Sequence, residues 1–136
     1  MAEPAAIARD YLNLFNASSP VADAGIVAPG ITFRMNGNEL PPGPATLEMR
    51  MAAFREAAPD RRVEVDTVIG AGPDVAVRYR VAGTHTGPLR LPGTGIELPP
   101  SGRAFSYVGA AFLRIEDGQV VSEETVGDLL GALTRG

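Results

Sequence analysis

Val75-Ala76-Val77-Arg78-Tyr79-Arg80-Val81 sets Val75, Val77, Tyr79 and Val81 on one side of an extended chain and Ala76, Arg78 and Arg80 on the other. A period of two marks a strand with one covered face, here apolar with a phenol in it. The same period recurs around it, so Arg62 to Ile69, Asp74 to Gly83, Arg103 to Ile115 and Gln119 to Asp128 are predicted strands separated by turn signals. Ala71-Gly72-Pro73-Asp74 and Glu116-Asp117-Gly118 read as hairpin turns, the second with Asp-Gly at its tip. Upstream the period lengthens. Ala5, Ile7, Ala8, Tyr11, Leu12 and Phe15 make a helical stripe over Pro4 to Phe15, and Val21 to Val27 reads as a short second helix that stops at Ala28-Pro29-Gly30. A strand, Ile31 to Met35, and a loop, Asn36 to Pro44, lead to a third helix, Ala45 to Ala58, spaced through Leu47, Met51 and Phe54. Three helices followed by a run of antiparallel strands predict an α+β domain.

The chain has 136 residues, which suits one domain over 1–136, because two cores of half that size would each be marginal. Apolar residues make up 45% of it, and no run approaches the eighteen or more needed to span a bilayer. Met1-Ala2-Glu3-Pro4 carries an acid and no basic segment, so it does not read as a signal peptide, and a cytoplasmic location is expected. With no cysteine and one histidine, disulfides, thiolate nucleophiles and the usual zinc sites are excluded. Chemistry is therefore expected to run without metal or cofactor, on carboxylates, the imidazole, hydroxyls and amides. A net charge of -4, with scattered arginines and no lysine, argues against nucleic acid as a partner.

Within the last predicted strand, Ser122, Glu124, Val126 and Asp128 share one face, and Val121, Glu123 and Thr125 share the other. Asp128 stands directly before Leu129-Leu130-Gly131-Ala132-Leu133. Two roles fit it: a carboxylate kept in an apolar pocket for catalysis, or the N-cap of a C-terminal helix from Leu129 to Thr134. One group can serve both. Tyr79 faces core or cavity, and Asn36 is either a turn residue, like Asn38, or a polar group in a pocket. His85, the single histidine, sits in Gly83-Thr84-His85-Thr86-Gly87, where the glycines let the backbone bend at a strand end. The Gly- and Pro-rich stretch Thr86 to Gly102 either rims a pocket or is a surface insertion.

Gly83-Thr84-His85-Thr86-Gly87, Leu98-Pro99-Pro100-Ser101-Gly102-Arg103, Asp117-Gly118-Gln119-Val120-Val121 and Asp128-Leu129-Leu130-Gly131, in that order, resemble the SnoaL-like polyketide cyclases. That family shares a cone-shaped α+β fold with nuclear transport factor 2 and ketosteroid isomerase. The resemblance is strongest from Val75 to Gly131. It implies a cone-like barrel of nuclear transport factor 2 type, with three helices against a curved, mostly antiparallel sheet of five or six strands. It also implies a homodimer paired through the outer sheet face, and a small-molecule biosynthetic intermediate as substrate. In such a cyclase Asp128 takes the place of the general base, and His85 that of a donor to the enolate oxygen. Tyr79, Tyr107 and Asn36 are the matching candidates for substrate contact. The implied activity is ring closure in a polyketide or related intermediate.

Two departures from the family pattern widen the range of reactions. Ser122-Glu123-Glu124 replaces a segment that usually carries Glu, His and Trp, which sets Glu124 near Asp128 as a possible acid and base pair. Such a pair suits epoxide hydrolysis, ether-ring formation or isomerisation. The Thr86 to Gly102 loop is also expanded, so the substrate is expected to differ from that of the aromatic cyclases. A non-catalytic small-molecule binding module on the same fold is the remaining reading.

Overall fold

The computed structural model describes residues 3–17, 25–90 and 95–134. Helix α1 spans Pro4–Asn13 and runs into a 3-10 turn at Leu14–Asn16. Helix α2 spans Pro44–Ala57, and a short α3 spans Leu129–Thr134. Both α1 and α2 begin with proline, which suits a first turn because the amide N–H it lacks has no partner there. Ile7, Ala8, Tyr11 and Leu12 of α1, and Leu47, Met51, Phe54 and Ala57 of α2, are the buried stripes. The strands are β1 (Val27–Met35), β2 (Asn38–Leu40), β3 (Arg62–Ala71), β4 (Asp74–Thr84), β5 (Leu89–Arg90), β6 (Glu97–Leu98), β7 (Ala104–Glu116) and β8 (Gln119–Val126).

Six of them form one sheet in the order β2-β1-β8-β7-β4-β3, while β5 and β6 make a separate two-stranded hairpin. All neighbours are antiparallel except β1 and β8, which run parallel. The sheet packs against α1 and α2 and is not closed into a barrel. Asp117 and Gly118 at the β7–β8 turn have φ of 52 and 77, the paired positive values that tight hairpins need. Asn36 and Gly37 do the same between β1 and β2, with φ of 49 and 84, so Asn36 is a turn residue.

Val75, Val77, Tyr79, Val81, Phe105, Ala111, Leu113 and Ile115 cover the inner face and join the helices in one core. On the outer face Val108, Phe112 and Val126 are large apolar residues left exposed, and Ile69 near the end of β3 is exposed as well. The predicted α+β class and all four long strands are present. The predicted second helix, Val21 to Val27, lies mostly outside the described residues, and Val27 opens β1, which begins earlier than Ile31. The third helix of the structure is instead the C-terminal α3, which packs on β7. Among the described residues no helix is long and apolar enough to cross a membrane.

Candidate active site

The register of β8 decides which carboxylate enters the interior. Leu113 and Ala111 of β7 face the core and lie opposite Glu123 and Thr125, so these two point inward, and Ser122 and Glu124 point out. The Glu123 side chain is 3% exposed and meets the 8% exposed side chain of Arg50 from α2. The contact is two-pronged, Nη1 to Oε1 at 3.0 Å and Nη2 to Oε2 at 2.9 Å. Tyr11 of α1 donates its hydroxyl to Oε1, and Thr125 donates to Oε2. Burial alone would push Glu123 up. The charge and hydrogen bonds of Arg50, with those of Thr125 and Tyr11, outweigh it and hold the carboxyl below the usual range. Burial and the neighbouring Glu123 push Tyr11 well above a free phenol. The Arg50 guanidinium also lies 5.5 Å from the ring centre of Phe15 and 5.3 Å from that of Phe33.

All three tyrosines of the chain feel this guanidinium. Tyr79 pairs across the ladder with Gly109, and a Cβ at Gly109 would stand 2.6 Å from the Tyr79 hydroxyl. The ring therefore lies flat on β7 at the one inward position there that has no side chain. A Cβ at Gly127 would likewise meet the Tyr107 ring at 3.2 Å and Gly109 Cα at 3.6 Å. Gly109 and Gly127 thus form a bed that directs both phenols toward the end of β8. Neither hydroxyl has a hydrogen-bond partner among the described residues, and neither counts among the sealed polar atoms, so solvent reaches both. Burial pushes Tyr79 above the ordinary phenol range, and Tyr107 to about 12, against the opposing charge of Arg50. At neutral pH both are donors.

Asn36 binds Gly127 from both sides, Nδ2 to the carbonyl at 3.1 Å and the amide N–H to Oδ1 at 3.0 Å, and so fixes the chain next to Asp128. Asp128 itself is exposed. Its Oδ1 accepts the Gly131 N–H at 2.8 Å, the N-cap of α3, and the residue borders an outer-face depression with Asn36, Arg78, Val108 and Val126. The expected greasy surroundings of this carboxylate are therefore corrected: the parity it shares with Ser122, Glu124 and Val126 is the outward one, because Glu123 and Thr125 take the inner face.

His85 lies elsewhere. It stands six residues beyond Tyr79, about 20 Å of extended chain, and is 2% exposed. Its backbone pairs with Arg103 and Gly102 at 3.0 and 2.8 Å, while both ring nitrogens are buried without a partner among the described residues. The expected juxtaposition of His85 with Asp128 is not formed. Glu124 is exposed on the outer face, so the buried carboxylate is its neighbour Glu123. The Thr86 to Gly102 stretch, of which Leu91 to Thr94 lie outside the described residues, carries the β5–β6 hairpin. It is tied to α2 by Arg90 to Glu56 and by the Thr86 and Gly87 amides to the Ala57 carbonyl, both at 3.1 Å.

Asp128 and Asn36 border the outer-face depression at the end of β8, Tyr79 and Tyr107 lie on the inner face beside the same strand end, Glu124 is exposed farther along the outer face, and His85 lies elsewhere. Sequence reasoning missed Arg50, Glu123 and the two glycines. Arg50 had a signal, since it falls with Leu47, Met51 and Phe54 on one helical face, where a charge needs a buried partner. Among the described residues no group of three or more His, Cys, Asp or Glu is placed to hold a metal ion.

The fold is similar to that of several solved structures. IdmH, a candidate polyketide cyclase from Streptomyces antibioticus, is 21% identical, with 97% of this chain and 96% of that one aligned at a TM-score of 0.78. A candidate SnoaL-like polyketide cyclase from Jannaschia sp. CCS1 is 23% identical over 100% of this chain and 98% of that one, at 0.77. AclR, a candidate hydroxylase from Streptomyces galilaeus, is 27% identical over 93% and 79% respectively, at 0.74. The chain matches none of the curated proteins. The profile of the SnoaL-like polyketide cyclases matches residues 5–135, nearly the whole chain, and the chain belongs to that family.

Proposed function

We propose that this chain is a cofactor-free cyclase that closes a ring in a polyketide or related biosynthetic intermediate by acid and base catalysis. Asp128 removes a carbon-bound proton, and Tyr79 and Tyr107 donate hydrogen bonds to the enolate oxygen that forms. The observation that carries this reading is the bed of Gly109 and Gly127, which seats two phenols without a partner among the described residues beside the strand end that Asp128 follows. Burial keeps both phenols protonated, so they stabilise the oxyanion without surrendering their protons to it. Removing one such donor typically costs about 2.7–4 kcal/mol in barrier height. Glu123 is tied up by Arg50, Tyr11 and Thr125 and supports the wall of the site. The donor role that resemblance gave to His85 falls to the phenols in this reading, because the imidazole is remote and enclosed.

Glu124 is exposed on the outer face and points away from the phenols, so an acid and base pair of Glu124 with Asp128, as epoxide opening needs, would work without the two donors. The test is hydrogen–deuterium exchange at the acidic carbon of 2-tetralone, followed by NMR. Wild type is expected to exceed an equal concentration of acetate by orders of magnitude, and folded Asp128→Asn to lose at least about a hundredfold. Exchange by that variant at the parental rate would remove the proposed base. Binding of the ketone with no exchange would leave a carrier.

We also infer that two copies pair through their outer sheet faces. Val108, Phe112 and Val126 form an exposed apolar strip there, and the surrounding charges, Arg34, Arg78 and Arg114 with Glu39, Glu124 and Asp74, are of both signs. A surface of that kind is self-complementary under a two-fold axis.

A further inference from the structure

We propose that the Asn36-Gly37 turn is a site of self-modification, where the side-chain amide of Asn36 is lost as ammonia and the chain is switched off irreversibly with age. The switching-off rests on the cyclase reading, because it acts on the segment that carries Asp128. The modification itself does not.

The chemistry needs only the chain and water. The backbone nitrogen of Gly37 attacks Cγ of Asn36, the new N–Cγ bond closes a cyclic imide, and the Cγ–Nδ2 bond breaks. Nδ2 leaves as ammonia, taking the hydrogen that the Gly37 nitrogen gives up. Water then opens the imide at either carbonyl, to aspartate or to isoaspartate, in which the backbone runs through the side chain. Of the four asparagines, Asn13, Asn16 and Asn38 precede Leu14, Ala17 and Glu39, whose side chains crowd the attacking nitrogen, and Asn36 alone precedes a glycine. Asn36 and Gly37 are both exposed, and the Gly37 N–H has no hydrogen-bond partner among the described residues.

What the reaction removes is a lock. Asn36 Nδ2 donates to the Gly127 carbonyl at 3.1 Å, and the Gly127 amide donates to Asn36 Oδ1 at 3.0 Å. Gly127 adjoins Asp128 on one side and, at 3.2 Å from its Cβ position, the Tyr107 ring on the other. Neither product retains Nδ2, so the Gly127 carbonyl loses its donor and meets an added negative charge beside Asp128. Isoaspartate also adds a methylene to the backbone of a hairpin in which Asn36 and Gly37 alone separate the paired Met35 and Asn38. Their φ of 49 and 84 belong to a tight turn with no room for that insertion. While both bonds to Gly127 are made they hold the amide away from attack, so the reaction follows their opening. Once the amide is gone they cannot both re-form.

The experiment keeps the whole chain for days in mildly alkaline buffer and follows it by peptide mass mapping, by protection of the Gly127 amide and by proton exchange on 2-tetralone. The mass gain of an amide turned acid is expected on the peptide that holds Asn36 and not at the other asparagines, and an isoaspartate-specific methyltransferase should label the same peptide. The Asp117-Gly118 turn can rearrange only without a change of mass, which separates the two sites. As the modified share grows, Gly127 protection and 2-tetralone exchange should fall in proportion, with an unchanged circular dichroism spectrum. Fresh Asn36→Asp, which has no amide to lose, should show no mass gain and should start at least about tenfold slower than fresh wild type. A constant mass at Asn36 overturns the site, and a modified chain that keeps Gly127 protection or full exchange overturns the switch. If fresh wild type exchanges no protons, the cyclase reading falls, while mass and Gly127 protection still decide the modification and the release of the lock.

Discussion

At the scale of single residues, the two buried titratable side chains that matter have opposite fates. Glu123 and Arg50 satisfy one another, so deleting one leaves a charge without a partner in the core, at about 3–5 kcal/mol. Glu123→Ala is expected to cost that much in urea unfolding, whereas Arg50→Met combined with Glu123→Leu should recover most of it. Because Glu123 is held below the usual carboxylate range, its contribution is complete above about pH 4.3 and fades as pH falls through the lower value it has when folded. Urea midpoints should drop between pH 5 and 3 in wild type and drop less in the double variant; parallel curves would show that the pair is not the acid-labile element. His85 is the contrary case. Two imidazole nitrogens enclosed without partners among the described residues cost about 1–3 kcal/mol each. His85→Leu should therefore be neutral or stabilising and should leave proton exchange on 2-tetralone unchanged. A large loss of exchange in a folded variant would return His85 to the chemistry.

The elements show where the sequence was legible and why it stopped being so. Period-two runs with turn signals between them placed β3, β4, β7 and β8 within a few residues, because each has one covered face and alternation reports that directly. Parity along β8 also separated Glu123 from Glu124 correctly, but it cannot say which parity faces in. That is set by the partner strand, where Leu113 and Ala111 lie opposite Glu123 and Thr125. Asp128 follows the same undetermined choice, exposed with Glu124 and Val126, and caps α3 two residues after the strand ends at Val126. The glycine bed was illegible because Gly109 and Gly127 are far apart in sequence and become neighbours only through strand pairing. Both points can be tested on the elements concerned. Asparagine caps a helix about as well as aspartate, and alanine does not cap. Asp128→Asn should keep thermal stability, and Asp128→Ala should lose about 0.5–2 kcal/mol, while both lose exchange. If Asp128→Asn were as destabilised as the alanine variant, more than the cap would depend on the charge. Gly109→Ala forces the Tyr79 ring off the strand and should cost about 1–3 kcal/mol, with a loss of ketone affinity.

For the whole molecule, the outer face of the sheet includes the surroundings of Asp128 at the end of β8. Val108, Val126 and Arg78, which belong to the outer face, border the same depression as Asp128. A second copy seated on that face would cover Val108 and Phe112, exposed by 49% and 52%, and would withdraw Asp128 from bulk water at the same time. Pairing and catalysis are then coupled through one surface. A stable pair needs roughly 800 Å² buried on each partner, more than a strip of a few side chains supplies, so the flanking charged rows must take part and salt should weaken the contact modestly. Sedimentation is expected to give twice the protomer mass. Phe112→Glu places two like charges near a two-fold axis and should give single protomers with an unchanged circular dichroism spectrum, because its side chain points away from the core. Those protomers should also exchange 2-tetralone protons more slowly than wild type, since their carboxylate at residue 128 stays wet. A wild-type mass of one protomer would remove the pairing, and full exchange by single protomers would uncouple it from the chemistry.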